Sequence, residues 1–416
     1  MSIHKMEIQN LVQEKFLRYV KIWTTSEPEL AAEKTPSTAN QWDLLNLLAE
    51  ELKELGVQDV TLTELGYLIA RIPANGKGDL PSLGFMAHVD TASDAPGKDV
   101  KPRVHTNWQG DVIELENGVT LDPENITDLK DFMGETIISS DGTTLLGADD
   151  KAGIAEIMTA AEVLLNNPEI KHGPLEIIFT PDEETGCGMD KFPVKELKSR
   201  FCFTMDGGRE GELELECYNA WRVDLEFQGN VIHPGYARGK LVNAVSMASQ
   251  FVSLLPRNES PEATDGRYGN YWPNSIEGNL DKAKVSVMIR DFDADGARRR
   301  LEAVRQFAKA VEASFPGGTV TLKEKQQYQN MKQELDKYPE LEPLMLKAYE
   351  KAGVKPLLKP IRGGTDGSKL TAMGVPTPNI FAGGFNFHSV REWVPLKSME
   401  KAVQVILGLV ESWSED

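Results

Sequence analysis

The run Leu145-Leu-Gly-Ala-Asp-Asp-Lys-Ala152 stands between a turn, Ser139-Ser-Asp-Gly142, and a stretch of helical periodicity. Ile154, Ile157, Met158, Ala161, Leu164 and Leu165 recur at helical spacing, which predicts a helix with one buried face. Asp149 and Asp150 then stand at a helix start, where unpaired N–H groups and the dipole favour carboxylates. Taken alone, one of them reads as an N-cap, because Asp is a leading cap residue. What lifts the pair above a cap is the set of acids and histidines placed at predicted strand ends elsewhere.

Leu83-Gly-Phe-Met-Ala-His88-Val-Asp90 is an apolar run ending in a histidine and an aspartate, the pattern of a strand buried on both faces. Leu175 to Thr180 is a second such run, ending in Pro181-Asp-Glu183-Glu184-Thr-Gly186. Phe201 to Met205 is a third, ending in Asp206-Gly-Gly208. Ligands in open α/β sheets gather beyond the carboxyl ends of strands, so these residues share one predicted edge. Helices are expected over 7–20, 41–55, 341–352 and 396–413, with Pro36-Ser37-Thr38 as a stop-and-cap signal before the second. Residues 91–135 read as loop, with His105 on its surface, and His388 sits in the last loop before the closing helix.

From about residue 216 the pattern changes. Strands at 220–228, 284–290 and 318–324 alternate with helices at 242–254 and 297–313, which suits a small α+β domain inserted in a larger one. The expected fold class is α/β, with residues 1–215 and 328–416 as the main domain and 216–327 as the insert. A chain of 416 residues is too long for one ordinary core, so two domains agree with its length.

Bulk properties exclude several partners. A hydrophobic content of 40% and a mean hydropathy of −0.35 describe a soluble globular protein. No apolar run approaches the ~18–20 residues of a membrane span, and the first residues do not read as a signal peptide. The net charge of −19, from 45 basic and 64 acidic residues, repels phosphate backbones and argues against nucleic acid. Cys187, Cys202 and Cys217 form no CxxC pair, which fits a reducing, cytoplasmic compartment. Only six histidines are present, so chemistry that requires imidazole draws on His4, His88, His105, His172, His233 and His388.

A dinuclear hydrolytic site needs neutral imidazoles and carboxylates, one of them bridging two cations ~3.5–4 Å apart. It also needs an unligated carboxylate to take a proton from water. The strand-end residues supply both: His88, Asp149, Glu184, Asp206 and His388 as ligands, Glu183 as base. Asp90, two residues beyond His88, faces the same side and can hold the other imidazole nitrogen.

Together with Gly147-Ala-Asp-Asp-Lys-Ala-Gly153, Phe179-Thr-Pro-Asp-Glu-Glu184, Ile361-Arg-Gly-Gly-Thr-Asp-Gly367 and Met399-Glu-Lys-Ala-Val-Gln-Val-Ile406, these motifs resemble the co-catalytic zinc peptidases related to aminoacylase and glutamate carboxypeptidase. The resemblance implies a mixed-sheet catalytic domain with helices on both faces. It implies one zinc on His88, Asp149 and Asp206, and a second on Asp149, Glu184 and His388, with Co2+ or Mn2+ as alternatives. Asp150 becomes a neighbour that either supports the ligands from behind or caps the helix. His233 would polarise the scissile carbonyl, and Arg290 and Arg362 would clamp the peptide carboxylate, each with an ordinary ion pair as its plainer role. The implied activity is removal of the N-terminal residue from a tripeptide, and an inserted domain of this kind leans the expectation to a homodimer. Rival readings are a dipeptidase, a carboxypeptidase, an N-acyl amino acid hydrolase, or a non-catalytic metal-dependent peptide-binding protein. Two stretches depart from the family pattern: the loop 23–36, and Ser389 after His388, where glycine is commoner.

Overall fold

The computed structural model describes residues 5–76 and 79–415; His4 lies outside them. The chain divides into two compact units. The first comprises Met1–Leu215, Gln333–Lys359 and Thr365–Asp416, the second Glu216–Lys332 and Pro360–Gly364. The second unit thus runs past the expected 327, because its last strand continues to Tyr328, and it also takes the first residues of the glycine-rich loop.

The first unit begins with α1 (Lys5–Tyr19) and α2 (Gln41–Glu54), followed by β1 (Asp59–Leu62), β2 (Leu68–Ile72) and β3 (Ser82–His88). Next come α3 (Ala148–Asn166), β4 (Leu175–Thr180), β5 (Ser199–Gly207) and β6 (Glu212–Glu214). The second unit holds β7 (Asn219–Gln228), α4 (Ala244–Leu254), β8 (Asn270–Gly278), β9 (Lys282–Asp291), α5 (Ala294–Ser314) and β10 (Thr319–Tyr328). The chain then returns to the first unit with α6 (Leu341–Ala352), β11 (Leu357–Leu358), α7 (Asp366–Ala372), β12 (Asn379–Phe381) and α8 (Leu396–Glu415).

The main sheet has the order β1-β2-β4-β3-β5-β12-β6-β11. β4, β3, β5 and β12 are mutually parallel; β2 runs antiparallel to both β1 and β4, and β6 runs antiparallel to β12 but parallel to β11. Every residue of β3 and β4 is buried, as their unbroken apolar runs require. The sheet is therefore mixed, and the parallel core brings the carboxyl ends of β3, β4 and β5 to one edge. Residues 91–135 are less irregular than expected: Arg103–His105 pairs with Ile137–Ser139, itself paired with Trp393–Pro395. His105 is half-buried there, its Nε2 2.9 Å from Ser139 Oγ, rather than a surface residue.

α3 departs from the expected one-sided burial. Ala152, Ala155, Ala160 and Val163 are buried as well as Ile154, Ile157, Met158 and Leu164, because α1 and α8 cover the face turned away from the sheet. Burial of each large aliphatic side chain stabilises by about 1.5–3 kcal/mol. Gly153 allows the helix to approach β5: a Cβ there would collide with the Met205 carbonyl oxygen and with Asp150 Oδ1. In the second unit the sheet order is β8-β9-β7-β10, all antiparallel. Val223, Leu225, Phe227, Val285, Val287 and Ile289 pack under Met247, Phe251, Leu301 and Val304. Its outer strand β8 was not legible as a strand; Pro273 and a bulge between Pro273 and Ser275 break the alternation, as edge strands tolerate.

Gly153→Ala is expected to lower stability by about 1–3 kcal/mol, towards the upper end because backbone cannot yield, measured by urea unfolding.

Candidate metal centre

His88 closes β3, and its imidazole is 2% exposed. Its Nδ1 lies 3.0 Å from the Asp90 carbonyl oxygen and 3.3 Å from Asp90 Oδ1. A proton on Nδ1 satisfies both, so that an ion replacing the Nε2 proton would find its lone pair directed to the ligand position. Nε2 lies 2.9 Å from Asp149 Oδ1 and 3.6 Å from Asp206 Oδ1. Asp90 has a second task that its spacing did not announce: it accepts from the amides of Glu183 (3.0 Å) and Glu184 (3.2 Å), tying the end of β3 to the turn after β4.

That turn is held from a distant part of the chain. Asp182 has φ +59, a left-handed conformation uncommon for a non-glycine residue. Its buried carboxylate accepts from Ser37 N (2.7 Å), Ser37 Oγ and Gln41 Nε2 (2.7 Å), and its amide donates to Gln41 Oε1. Ser37 and Thr38 therefore do not cap α2: Ser37 secures Asp182, and Thr38 Oγ1 donates to Thr25 O. The divergent 23–36 loop leads directly into this clamp.

Asp149 and Asp150 are joined by a cis peptide, have non-helical backbone angles, and neither caps α3. The residue before the helix is Gly147, which offers no side-chain bond. Asp150 is fully buried and accepts from the His88 amide through Oδ2 at 3.2 Å. Asp149 turns its two oxygens to two different histidines: Oδ1 to His88, and Oδ2 to His388 Nε2 at 3.3 Å. His388 Nε2 is also 3.0 Å from Glu184 Oε2, while Glu184 Oε1 is buried without a hydrogen-bond partner. His388 Nδ1 faces Asp94 Oδ2 at 3.3 Å. Ligand atoms of His88, Asp149 and Glu184 lie within 4.8 Å of one another, and so do those of His88, Asp150 and Asp206.

This crowding is electrostatically costly. Burial and the nearby Asp149 charge push Glu184 up to about 8, and burial with Asp149 pushes Asp206 to about 6 despite the opposing charge of His88. Burial, opposed by His88 but reinforced by Asp206, also holds Glu183 well above the usual carboxylate range. Burial disfavours ionised Asp149, yet hydrogen bonds from His388 and His88 override it and keep this carboxyl below its ordinary value. The reciprocal bonds from Asp149 and Glu184 raise His388 to about 11. Carboxylates and imidazoles that share protons in this way, with an orphaned buried oxygen among them, form a donor set suited to divalent cations.

The remaining sequence candidates lie in the second unit. His233 is largely exposed, and its Nδ1 accepts from Gly235 N at 3.1 Å. Arg290 donates to Gln327 Oε1 at 3.0 Å and lies over the Tyr328 ring. Arg362 donates to the carbonyls of Gly266 (2.9 Å) and Thr264 (3.0 Å) and lies over Tyr218.

The sequence model of peptidase family M20/M25/M40 matches residues 141–412. A peptidase T from Clostridium perfringens is 47% identical over 404 residues, 97% of this chain and 99% of that protein. The chain belongs to peptidase family M20/M25/M40. It is an α/β peptidase, and two solved structures share its fold. One is an aminopeptidase PepT from Bacillus cereus, with a TM-score of 0.76 at 22% identity, covering 97% of this chain and 98% of that one. The other is a tripeptidase from Staphylococcus aureus, with a TM-score of 0.77 at 20% identity, covering 98% and 99%. Among the described residues of the peptidase, no helix is long and apolar enough to cross a membrane.

The metal-free peptidase should lose stability as pH rises from about 5 to 8. Glu184 and Asp206 have folded pKa values near 8 and 6, above their unfolded ones, as do both histidines, so their contributions are present at low pH and lost as pH rises. Asp149 acts oppositely only at much lower pH. Thermal unfolding in chelator across this range checks the slope, and added Zn2+ should reverse it, with about 2.7 kcal/mol of stabilisation at 100 times Kd.

Proposed function

We propose that this peptidase removes the N-terminal residue of tripeptides with two divalent ions, zinc by ligand chemistry. The observation that carries the reading is the Asp149 carboxylate, whose two oxygens face two histidines from opposite parts of the chain. His88, Asp149 and Asp206 would hold one ion, and Asp149, Glu184 and His388 the other. Such ions would supply a lowered pKa for a bound water and polarisation of the peptide carbonyl. Co2+ and Mn2+ suit the same oxygen and nitrogen donors.

The protein's own groups do the rest. Glu183 takes the proton of the attacking water on its carboxylate and returns it to the leaving amine nitrogen. Asp90 keeps the His88 proton on Nδ1, away from the ion. In the second unit, a His233 that accepts at Nδ1 carries its proton on Nε2, so it can donate to the oxygen that gains charge during attack. Arg290 is the better candidate for the peptide carboxylate, because Arg362 directs its donors to backbone carbonyls. The tripeptide length is supported by the peptidase T and tripeptidase similarities.

Glu183→Gln should reduce kcat on a free tripeptide by ~100- to 10,000-fold with both ions still bound, measured by steady-state hydrolysis and metal analysis. The wild type should cleave a free tripeptide and spare its N-acetylated form, the matching dipeptide and the tetrapeptide. Preferential cleavage of the acetylated peptide would keep the centre and replace the substrate with an N-acyl amino acid.

A further inference from the structure

Glu392 is 1% exposed and far from the ligands in sequence, yet it sits directly against one of them. Its Oε2 accepts from the amides of Leu146 (2.8 Å) and Gly147 (2.7 Å), and its Oε1 from the amide of Asp149 (3.1 Å). Leu146 and Gly147 lead into α3 and Asp149 stands in its first turn, where Gly147 supplies no side-chain cap. A carboxylate here both caps the helix and fixes the backbone from which Asp149 projects.

The same carboxylate belongs to the loop that carries His388. Phe385 and Trp393 close this loop by mutual backbone hydrogen bonds of 2.9 and 3.1 Å, with their rings stacked at 4.2 Å. Inside it, Ser389 Oγ donates to Asn386 O (2.8 Å) and accepts from Arg391 N (3.1 Å), and Glu392 N donates to Ser389 O (3.2 Å). Asn386 and His388 both hold positive φ, +54 and +60, a conformation that this bonding maintains. The serine that departs from the family's usual glycine is thus an internal brace of the loop.

We propose that Glu392 is a positioning residue that sets the distance between Asp149 and His388, so that two ligands of one ion are placed by a single side chain. This rests on the two-metal reading of the site. A carboxylate offers acceptors to all three amides, whereas glutamine replaces one oxygen with an N–H2 group and must oppose at least one of them. The cost appears in metal affinity as well as in helix stability, because the freed backbone is that of a bridging ligand.

The test is Zn2+ binding by the full chain, in competition with a chromophoric chelator, for wild type and Glu392→Gln. The visible spectrum of the Co2+-loaded protein is the second readout, since it reports coordination geometry and not fold stability. The wild type should take two Zn2+; the variant should bind at least one of them ~10- to 100-fold more weakly and show shifted Co2+ bands. A folded variant with wild-type affinity and spectrum overturns the proposal. Should Glu392→Gln not fold, Glu392→Asp keeps the charge while withdrawing the oxygens by one methylene, and the same two outcomes decide. A wild type that binds no pair of Zn2+ overturns the two-metal reading itself, which separates that failure from the failure of Glu392.

Discussion

Too many carboxylates share too little space at the edge of this sheet, and their mutual repulsion is the constraint that the surrounding structure answers. Asp149, Asp150, Glu183, Glu184 and Asp206 meet two imidazoles in a largely buried setting, and burial alone already disfavours their charges. Such a cluster is stable only when protons or cations offset it. The two-faced Asp149 and the orphaned Glu184 oxygen point to divalent cations as the native solution.

Holding these groups in place requires backbone as much as side chains. The parallel strands bring three carboxyl ends to one edge, but the edge alone does not aim a glutamate or a histidine. Asp90 binds the amides of Glu183 and Glu184, Asp182 is clamped by Ser37 and Gln41, and Glu392 binds the amide of Asp149. In each case a carboxylate outside the proposed ligand set accepts from at least one main-chain N–H group and so fixes the adjoining backbone. Close approach of α3 to β5 at Gly153 completes the frame by setting Asp149 near Asp206.

The second unit follows a different logic. Its antiparallel sheet has one face buried under two helices and carries His233, Arg290 and Arg362 on loops or strand ends. These residues have chemistry suited to a peptide's carbonyl and carboxylate, and their local bonding separates them. Arg362 is committed to carbonyl oxygens of its own unit, whereas His233 is exposed with a defined tautomer.

The sequence by itself determined the fold class, the helix that follows Asp149 and Asp150, the buried strands ending at His88 and Thr180, and the set of acids and histidines gathered at their ends. Those features depend on periodicity and on the clustering of acids and histidines at strand ends, which are local signals. It did not reveal β8, because an edge strand with a proline and a bulge loses its alternation. It offered Asp150 as a capping neighbour among its readings, whereas Asp150 accepts from the His88 amide and the N–H groups before α3 go to Glu392, which lies 246 residues from Leu146. Gln41, Asp94 and Glu392 carry no motif of their own, and Ser37 stands in a cap signal that points to a different role. Their roles arise only when folding brings a distant acceptor or donor to an unsatisfied group, and that pairing is decided in three dimensions.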